Sequence, residues 1–402
     1  MANPNIAALA NLTVGTLAWT VTSDNVVLHS SRSTMAGSGS TLTASMLTPI
    51  QFTQTGKSAA NLANTMVFGA CCHQDGNGST SWSGATQNGD AMTAIVTNLN
   101  TADNAYGKMG LFYRVNPDKH ASTAQDVVFT NSGSVSYPLQ GGTAYLSNVD
   151  QTTPFSEIHR GQSYYAEYNR YHRGLSSQFN VPTQVGDMVM MFCASTYNGR
   201  FQPRNRDSHT VAASYDRNAT DSTLNSSYLG FFSPSSYEEP IMIEKAGSYY
   251  GHTSSSATGS AEDAHNTYAV VNIQSPRTPK TLFTVPAEMS VKINSIQIAN
   301  PEVPGMHVDL SVTGLPTGTT SIEDSGGSTD ILTVSGTPGT VATTTICKMA
   351  KAKNTKPVNV LHQPMWLQGG DSLTAKAVCD QNLPEFESRD VDIIISFETV
   401  RD

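Results

Sequence analysis

Short runs of β-branched and aromatic residues recur along the whole chain, and clusters of Gly, Asn, Asp and Ser break them apart. Val26–Leu28, Thr65–Ala70, Ala94–Val96, Gly110–Val115 and Val127–Thr130 are such runs. The rhythm predicts short strands joined by turns. A helix needs apolar residues at three- and four-residue spacing over a longer stretch, and such stretches are scarce. The exception is Tyr164 to Tyr171, where Tyr164, Tyr168 and Tyr171 follow helical spacing and predict a short helix. Residues 187–194, Asp-Met-Val-Met-Met-Phe-Cys-Ala, form a near-continuous apolar run of the kind that fills a sandwich core. Val291 to Ile298 alternates in two halves, and the extra residue between Ile293 and Ile296 predicts a bulge. Val391–Glu398 reads as a strong final strand. The predicted class is all-β: a jelly-roll-like β-sandwich main domain followed by a smaller C-terminal β-sandwich.

Composition narrows the function. Of 402 residues only 14% are charged, against roughly a quarter in an average domain. Ser, Thr, Asn, Gln and Gly take their place, which suits sheets with a wet face and surfaces covered by other protein copies. The net charge of −9 and the shortness of the two basic runs, Lys348–Lys353 and Arg200–Arg206, argue against nucleic acid, whose phosphates demand a basic footprint. No segment approaches the roughly 18 apolar residues of a membrane helix, so no membrane partner is expected. The N-terminus lacks the basic and apolar regions of a signal peptide, so synthesis in a cytoplasm is expected. Cys71, Cys72, Cys193, Cys347 and Cys379 are odd in number and lack framework spacing, which argues against a disulfide scaffold; Cys71, Cys72 and Cys193 lie in or beside apolar runs and read as small buried hydrophobes.

Three regions are expected. Residues 1–50, rich in Ser, Thr and Gly, read as an N-terminal arm or partial strand set, with Gly37 to Ser45 flexible. Residues 51–275 form the main domain. Ser275-Pro-Arg-Thr-Pro-Lys280 reads as a linker, because proline cannot donate to a sheet ladder. Residues 280–402 form the C-terminal domain. Within the main domain Asn64–Cys71 echoes Gly186–Cys193, each an apolar strand running into a polar loop. Either a duplication or the ordinary recurrence of sandwich strands accounts for the echo. Gln368-Gly-Gly-Asp371 reads as a hairpin turn pairing its two flanking strands.

No catalytic pattern is present, and the chain is not expected to be an enzyme. There is no G-x-S-x-G elbow and no H-E-x-x-H. Glu238 and Glu239 are adjacent, so on a strand they face opposite ways. His159, His172, His209, His252 and His265 are scattered. The loop from His73 to Ser79 carries alternating oxygen ligands but lacks the distal bidentate Glu of a calcium loop; no metal and no cofactor are expected. The most unusual segment is Ser163–Arg173. Tyr164, Tyr165, Tyr168, Arg170, Tyr171, His172 and Arg173 crowd into it. Tyr and Arg dominate interface hot spots, and stacked aromatics also hold sugar rings. An interface between subunits, a glycan contact and plain surface are the three readings.

The order of marks from Thr65–Ala70 through Ser81-Trp82-Ser-Gly84, Lys108–Val115, Val127–Thr130, Gly142–Asp150, Gly186-Asp187 and Tyr268–Ile273 resembles a β-sandwich module of bacteriophage structural and adhesin-like proteins. Leu282–Ala287, Lys292–Asn300, Val308–Val312, Met365–Ala375 and Ile393–Glu398 resemble a small sandwich module repeated among virion proteins of tailed phages. The opening Met-Ala-Asn-Pro-Asn-Ile-Ala-Ala-Leu9 is similar to the start of such proteins in phages of cyanobacteria. The resemblance implies a virion structural protein without enzyme chemistry, located in the particle after synthesis in the host cytoplasm. The expected form is a fibre-like or peripheral appendage at the neck or tail, a homotrimer that contacts other virion proteins and a host surface glycan. A capsid decoration protein is the alternative, and a tailspike-type glycan hydrolase the second.

Overall fold

The computed structural model describes residues 14–46, 64–73, 79–100, 108–117, 125–136, 139–165, 173–195, 199–205, 208–212, 226–234, 241–249, 264–276, 279–302, 306–314, 320–323, 329–332, 343–351, 357–361, 363–379 and 389–401. All regular structure among them is β, in antiparallel sheets. The protein is an all-β chain of the sandwich class. It divides into two units. The first takes residues 1–25, 276–383 and 387–402, and the second takes residues 26–275 and 384–386.

The chain begins in the first unit with β1 (Val14–Thr22), then enters the second. There it forms β2 (Val27–Ala36), β3 (Gly39–Met46), β4 (Met66–His73), β5 (Trp82–Gln87), β6 (Asp90–Ala91), β7 (Thr93–Asn100), β8 (Lys108–Val115), β9 (Gln125–Val135) and β10 (Leu139–Ser147). These make two sheets, β2-β10-β4-β8-β7 and β3-β9-β5-β6. First strand beside last, second beside next-to-last, third beside last and fourth beside next-to-last is the connectivity of a jelly roll. The stretch read as flexible from Gly37 to Ser45 is not so throughout. Only Gly37 and Ser38 form a bend, and β3 follows with Leu42 and Ala44 buried, because their alternation with Thr41 and Thr43 turns one face inward.

The remaining strands of this unit are β11 (Phe155–Tyr165), β12 (Arg173–Val181), β13 (Met188–Ser195), β14 (Gly199–Asn205), β15 (Ser208–Ala212), β16 (Ser226–Pro234), β17 (Ile241–Tyr249) and β18 (Ala264–Ile273). Their sheets are β11-β18-β13-β16-β15 and β12-β17-β14. Taken in chain order, and leaving out the two-residue β6, every ladder of the first set of strands has its counterpart in the second. The unit is therefore two jelly rolls in tandem.

Three hydrophobic cores explain the sequence pattern. Leu42, Val67, Trp82, Phe112 and Phe129 fill the first roll, and Val181, Val189, Met191, Phe232 and Val270 pack within the second. Between them, Phe68, Ala70, Leu111 and Leu146 of the first roll share one cluster with Met190, Phe192, Phe231 and Val271 of the second. The five-stranded sheets thus carry apolar side chains on both faces. That is why β4 and β10 are buried along their whole length and why residues 187–194 lack polar alternation.

The chain returns to the first unit as β19 (Lys280–Thr284), β20 (Met289–Ala299), β21 (Met306–Thr313), β22 (Thr320–Glu323), β23 (Thr329–Leu332), β24 (Thr343–Lys351), β25 (Val358–Asn359), β26 (Met365–Leu367), β27 (Ser372–Cys379) and β28 (Asp390–Arg401). One sheet runs β1-β28-β20-β25, with β26 also on β20; the other runs β19-β27-β21-β24. The two sheets enclose a core that includes Ile293, Ile296, Leu310, Leu373, Ile395 and Phe397. The predicted bulge is present: the β20–β28 register shifts between Ile293 and Ser295. Of residues 1–50, β1 joins this unit and β2 and β3 open the first jelly roll. Trp19 and Val21 of β1 are buried in the sandwich core, with Trp19 stacked on Phe283 at 5.5 Å.

The expected hairpin at Gln368–Asp371 needs correction. The turn exists, but β26 before it pairs with β20 while β27 after it pairs with β19 and β21. The turn carries the chain from one sheet to the other. Glycine at positive φ (Gly370, φ 93°) specifies a tight reversal, but a reversal does not decide whether its flanks pair.

Candidate functional site

The tyrosine- and arginine-rich segment lies in the second roll. Tyr164 and Tyr165 are the last residues of β11, opposite His265 and Ala264 of β18. Arg173 opens β12, opposite Ser248 of β17. Tyr168, Arg170, Tyr171 and His172 fall outside the described residues. The predicted helix is corrected at its N-terminal end. The backbone of Gly161–Tyr165 is laddered to β18 without a break in register, so pairing with a neighbouring strand overrides the helical spacing of the tyrosines.

The segment joins the two sheets of its roll, and the registers show what shares that end. Ser195 of β13 lies opposite both Ser226 of β16 and Asn266 of β18. Gly199 of β14 lies opposite Tyr249 of β17. The connections 166–172, 196–198, 213–225 and 250–263 therefore all attach to strand ends on one side of the second roll. In sequence they are rich in Ser, Thr, Asn, Tyr and Gly, the composition of adaptable contact loops. The corresponding corner of the first roll is Gly37-Ser38 alone.

Sequence reasoning missed several buried polar sites. His73 is almost fully buried at the end of β4. Its Nε2 lies 3.0 Å from Thr80 Oγ1 and 3.2 Å from Asn131 Nδ2, and its ring meets Trp82 edge-on. These contacts turn His73 inward, away from any ligand role in the loop that follows it; residues 74–78 of that loop lie outside the described set. His29 shares a hydrogen bond with Ser147 Oγ at 2.7 Å, and burial holds its imidazole down to a pKa of about 4. Cys71 is buried on the inner face of the first roll, and burial pushes its thiol well above the usual range, which leaves it unreactive. Cys72 and Cys379 are also buried and take part in no disulfide.

In the first unit Asp24 is buried and pairs with the half-exposed Lys280 at 2.7 Å. Burial raises its carboxyl above the ordinary value, against the attraction of Lys280 and Lys376. Asn25 beside it grips Cys379 through both backbone groups. These bonds fix the residues from which the chain leaves the sandwich. They are positioning contacts, and the sequence signal for them was only a lone acidic residue in a Ser-Asp-Asn turn.

Among the described residues no three His, Cys, Asp or Glu side chains converge as metal ligands would. In sequence, the connections at that end of the second roll combine Ser, Thr, Asn, Gly and Tyr with a few charged residues, Glu167, Arg170, Asp216, Arg217, Asp221, Glu262 and Asp263. No known protein family matches the chain, and neither a characterised protein nor a solved structure is significantly similar to it.

Proposed function

We propose that the protein is a virion structural protein of a tailed phage, a peripheral or fibre-like appendage of neck or tail that acts by assembly and binding. The observation that supports this reading most is the contrast between the two rolls. One turns its corner in two residues, while the other places a tyrosine- and arginine-bearing connection there, beside three further polar connections. Tyrosine brings large contact area at low entropic cost, and arginine brings a rigid fork of donors. The charge-poor surface fits coverage by neighbouring copies, and a homotrimer is the proposed state.

The double variant Tyr168→Ala/Tyr171→Ala tests the assignment. A subunit contact at this segment predicts at least about thirtyfold weaker assembly, the effect of a hot spot worth roughly 2 kcal/mol, with the thermal transition unchanged. A host glycan contact predicts normal assembly with lost adsorption to cells. Retention of both assembly and adsorption would remove the segment from function.

A further inference from the structure

The order of ladders is not all that the two rolls share. Met66 of β4 lies opposite Leu146 of β10, and Met188 of β13 lies opposite Ile273 of β18. From these anchors Val67 aligns with Val189 and Cys71 with Cys193, the same alignment as the echo between Asn64–Cys71 and Gly186–Cys193. The residue two positions before each methionine has positive φ: Asn64 at 52° and Gly186 at 100°. The first strand of each roll bulges at the same step of its ladder. In the first roll His29 is extra between Leu28 and Ser30; in the second the shift falls between Phe155 and Ile158. The segment before the first roll is tied to the second: Val26 N–H donates to Gly186 C=O at 2.7 Å, at the residue equivalent to Asn64, whose own C=O accepts from Val149 N–H at 2.9 Å as the β10–β4 ladder runs on. Jelly-roll topology requires neither the bulge nor the left-handed residue.

We infer that Val26–Ser275 is a fused pair of one folding unit, and that the β2-β10-β4-β8 face is a homotypic docking face whose fitting partner is a second copy of the same roll. The shared cluster carries the mark of a twofold interface that has since diverged. At equivalent positions Phe68 stands for Met190, Ala70 for Phe192 and Ala144 for Val271, all buried in one core. Isologous interfaces place the same patch on both partners. Once the copies are fused, a large residue on one side is free to pair with a small one on the other.

Exchange of residues between equivalent positions tests this in the full chain. Phe68→Met/Ala70→Phe gives both faces the larger pair and overpacks the core; Met190→Phe/Phe192→Ala gives both the smaller pair and leaves a void. The fourfold variant exchanges the two sets across the proposed axis. Its unfolding constant in urea is expected to be at least tenfold more favourable than the two partial variants predict when their effects are added. The control exchanges non-equivalent positions of the same cluster, Ala70→Phe/Phe231→Ala. Additive behaviour of the fourfold variant, or equal rescue by the control, would overturn the inference. Should the large exchanges prevent folding, Ala144→Val/Val271→Ala makes the same comparison with a smaller volume change.

Discussion

The same row of the same sheet is built in opposite ways in the two rolls. In the first, Cys71 is flanked across the ladders by Gly141 and Gly110. In the second, the equivalent Cys193 is flanked by Tyr268 and Tyr228. The glycines make room for side chains from the opposite sheet. A Cβ on Gly141 would lie 2.9 Å from Leu42, and one on Gly110 would lie 3.1 Å from Trp82. Trp82 meets Phe129 edge-on, and Phe129 in turn occupies the space left by Gly69, on which a Cβ would lie 2.8 Å from its ring. In the second roll bulk comes instead from the five-stranded sheet itself, where half-buried Tyr268 packs against that roll's core. Connectivity and alternation define a jelly roll; which of its two sheets supplies the volume is left open.

The largest effect that would break this comparison is at Gly141. A Cβ there would also approach the Ala70 carbonyl oxygen to 2.6 Å, and that atom belongs to a strand laddered on both sides. Gly141→Ala is therefore expected to cost about 3 kcal/mol, measured by urea unfolding. Tyr268→Ala removes far more atoms but only from a half-buried site, and about 1–2 kcal/mol is expected. One added methyl costing more than a lost phenol is the distinctive outcome. The reverse order would mean that the glycine row is not a packing requirement.

The contrast also marks where the sequence was legible. Strands buried on both faces show themselves as unbroken apolar runs, and residues 187–194 were read correctly for that reason. The bulge in β20 was visible because an inserted residue resets the period of two. At Tyr164 and Tyr165 the helical spacing misled, because three matches in eight residues carry little weight against the unbroken pairing of Gly161–Tyr165 with β18. Gln368–Asp371 misled because turn chemistry is local while strand pairing is not. The role of β1 was hidden for a related reason. Its partner β28 lies at the far end of the chain, with Trp19 opposite Ile393, and no local pattern announces such a pairing. The segment Tyr164–Arg173 stood out by composition, but its place between the two sheets of the second roll came only from topology.

A second difference between the rolls lies at their shared bulge. The first roll places His29 there, bonded to Ser147; the second uses Ser156, which accepts from Asn272 Nδ2 at 2.6 Å. Only the first titrates. With its folded pKa lowered to about 4, His29 stays neutral while the unfolded chain takes up a proton near pH 6.5. The unfolded state binds more protons throughout that window, so stability falls as pH drops from 6.5 to 4 and the contribution is fully spent below 4. The full gap corresponds to about 3 kcal/mol, and the ring's partial exposure reduces the expectation to about 2 kcal/mol. His29→Gln should flatten the profile in this window relative to the parent. Parallel profiles would show that His29 carries none of the pH dependence.

The smallest effect concerns a turn that occurs in both units. Gln184-Val-Gly-Asp187 and Gln368-Gly-Gly-Asp371 each carry the chain between sheets, with a positive-φ glycine in third place. In both, the Asp N–H donates to the Gln carbonyl at 2.9 Å, and the Asp carboxylate accepts the Gln N–H, at 3.0 Å in the first and 2.8 Å in the second. In the second roll the carboxylate reaches beyond its own turn. Asp187 also accepts from Asn272 Nδ2, from the Ser275 backbone N–H and from the Ser275 hydroxyl, so it fastens the end of β18 as well as its own turn. Removing a buried carboxylate that satisfies several donors leaves each of them without a partner, and bonds to a charged acceptor contribute more than neutral ones. Asp187→Ala is expected to cost about 2 kcal/mol. Asp371→Ala removes a likewise buried carboxylate and its bond to the Gln368 amide, and is expected to cost about 1 kcal/mol. Asp187→Asn keeps one acceptor oxygen and should fall between the two. Equal costs for both alanine variants would show that the hold on Asn272 and Ser275 adds nothing beyond what Asp371 contributes at its own turn.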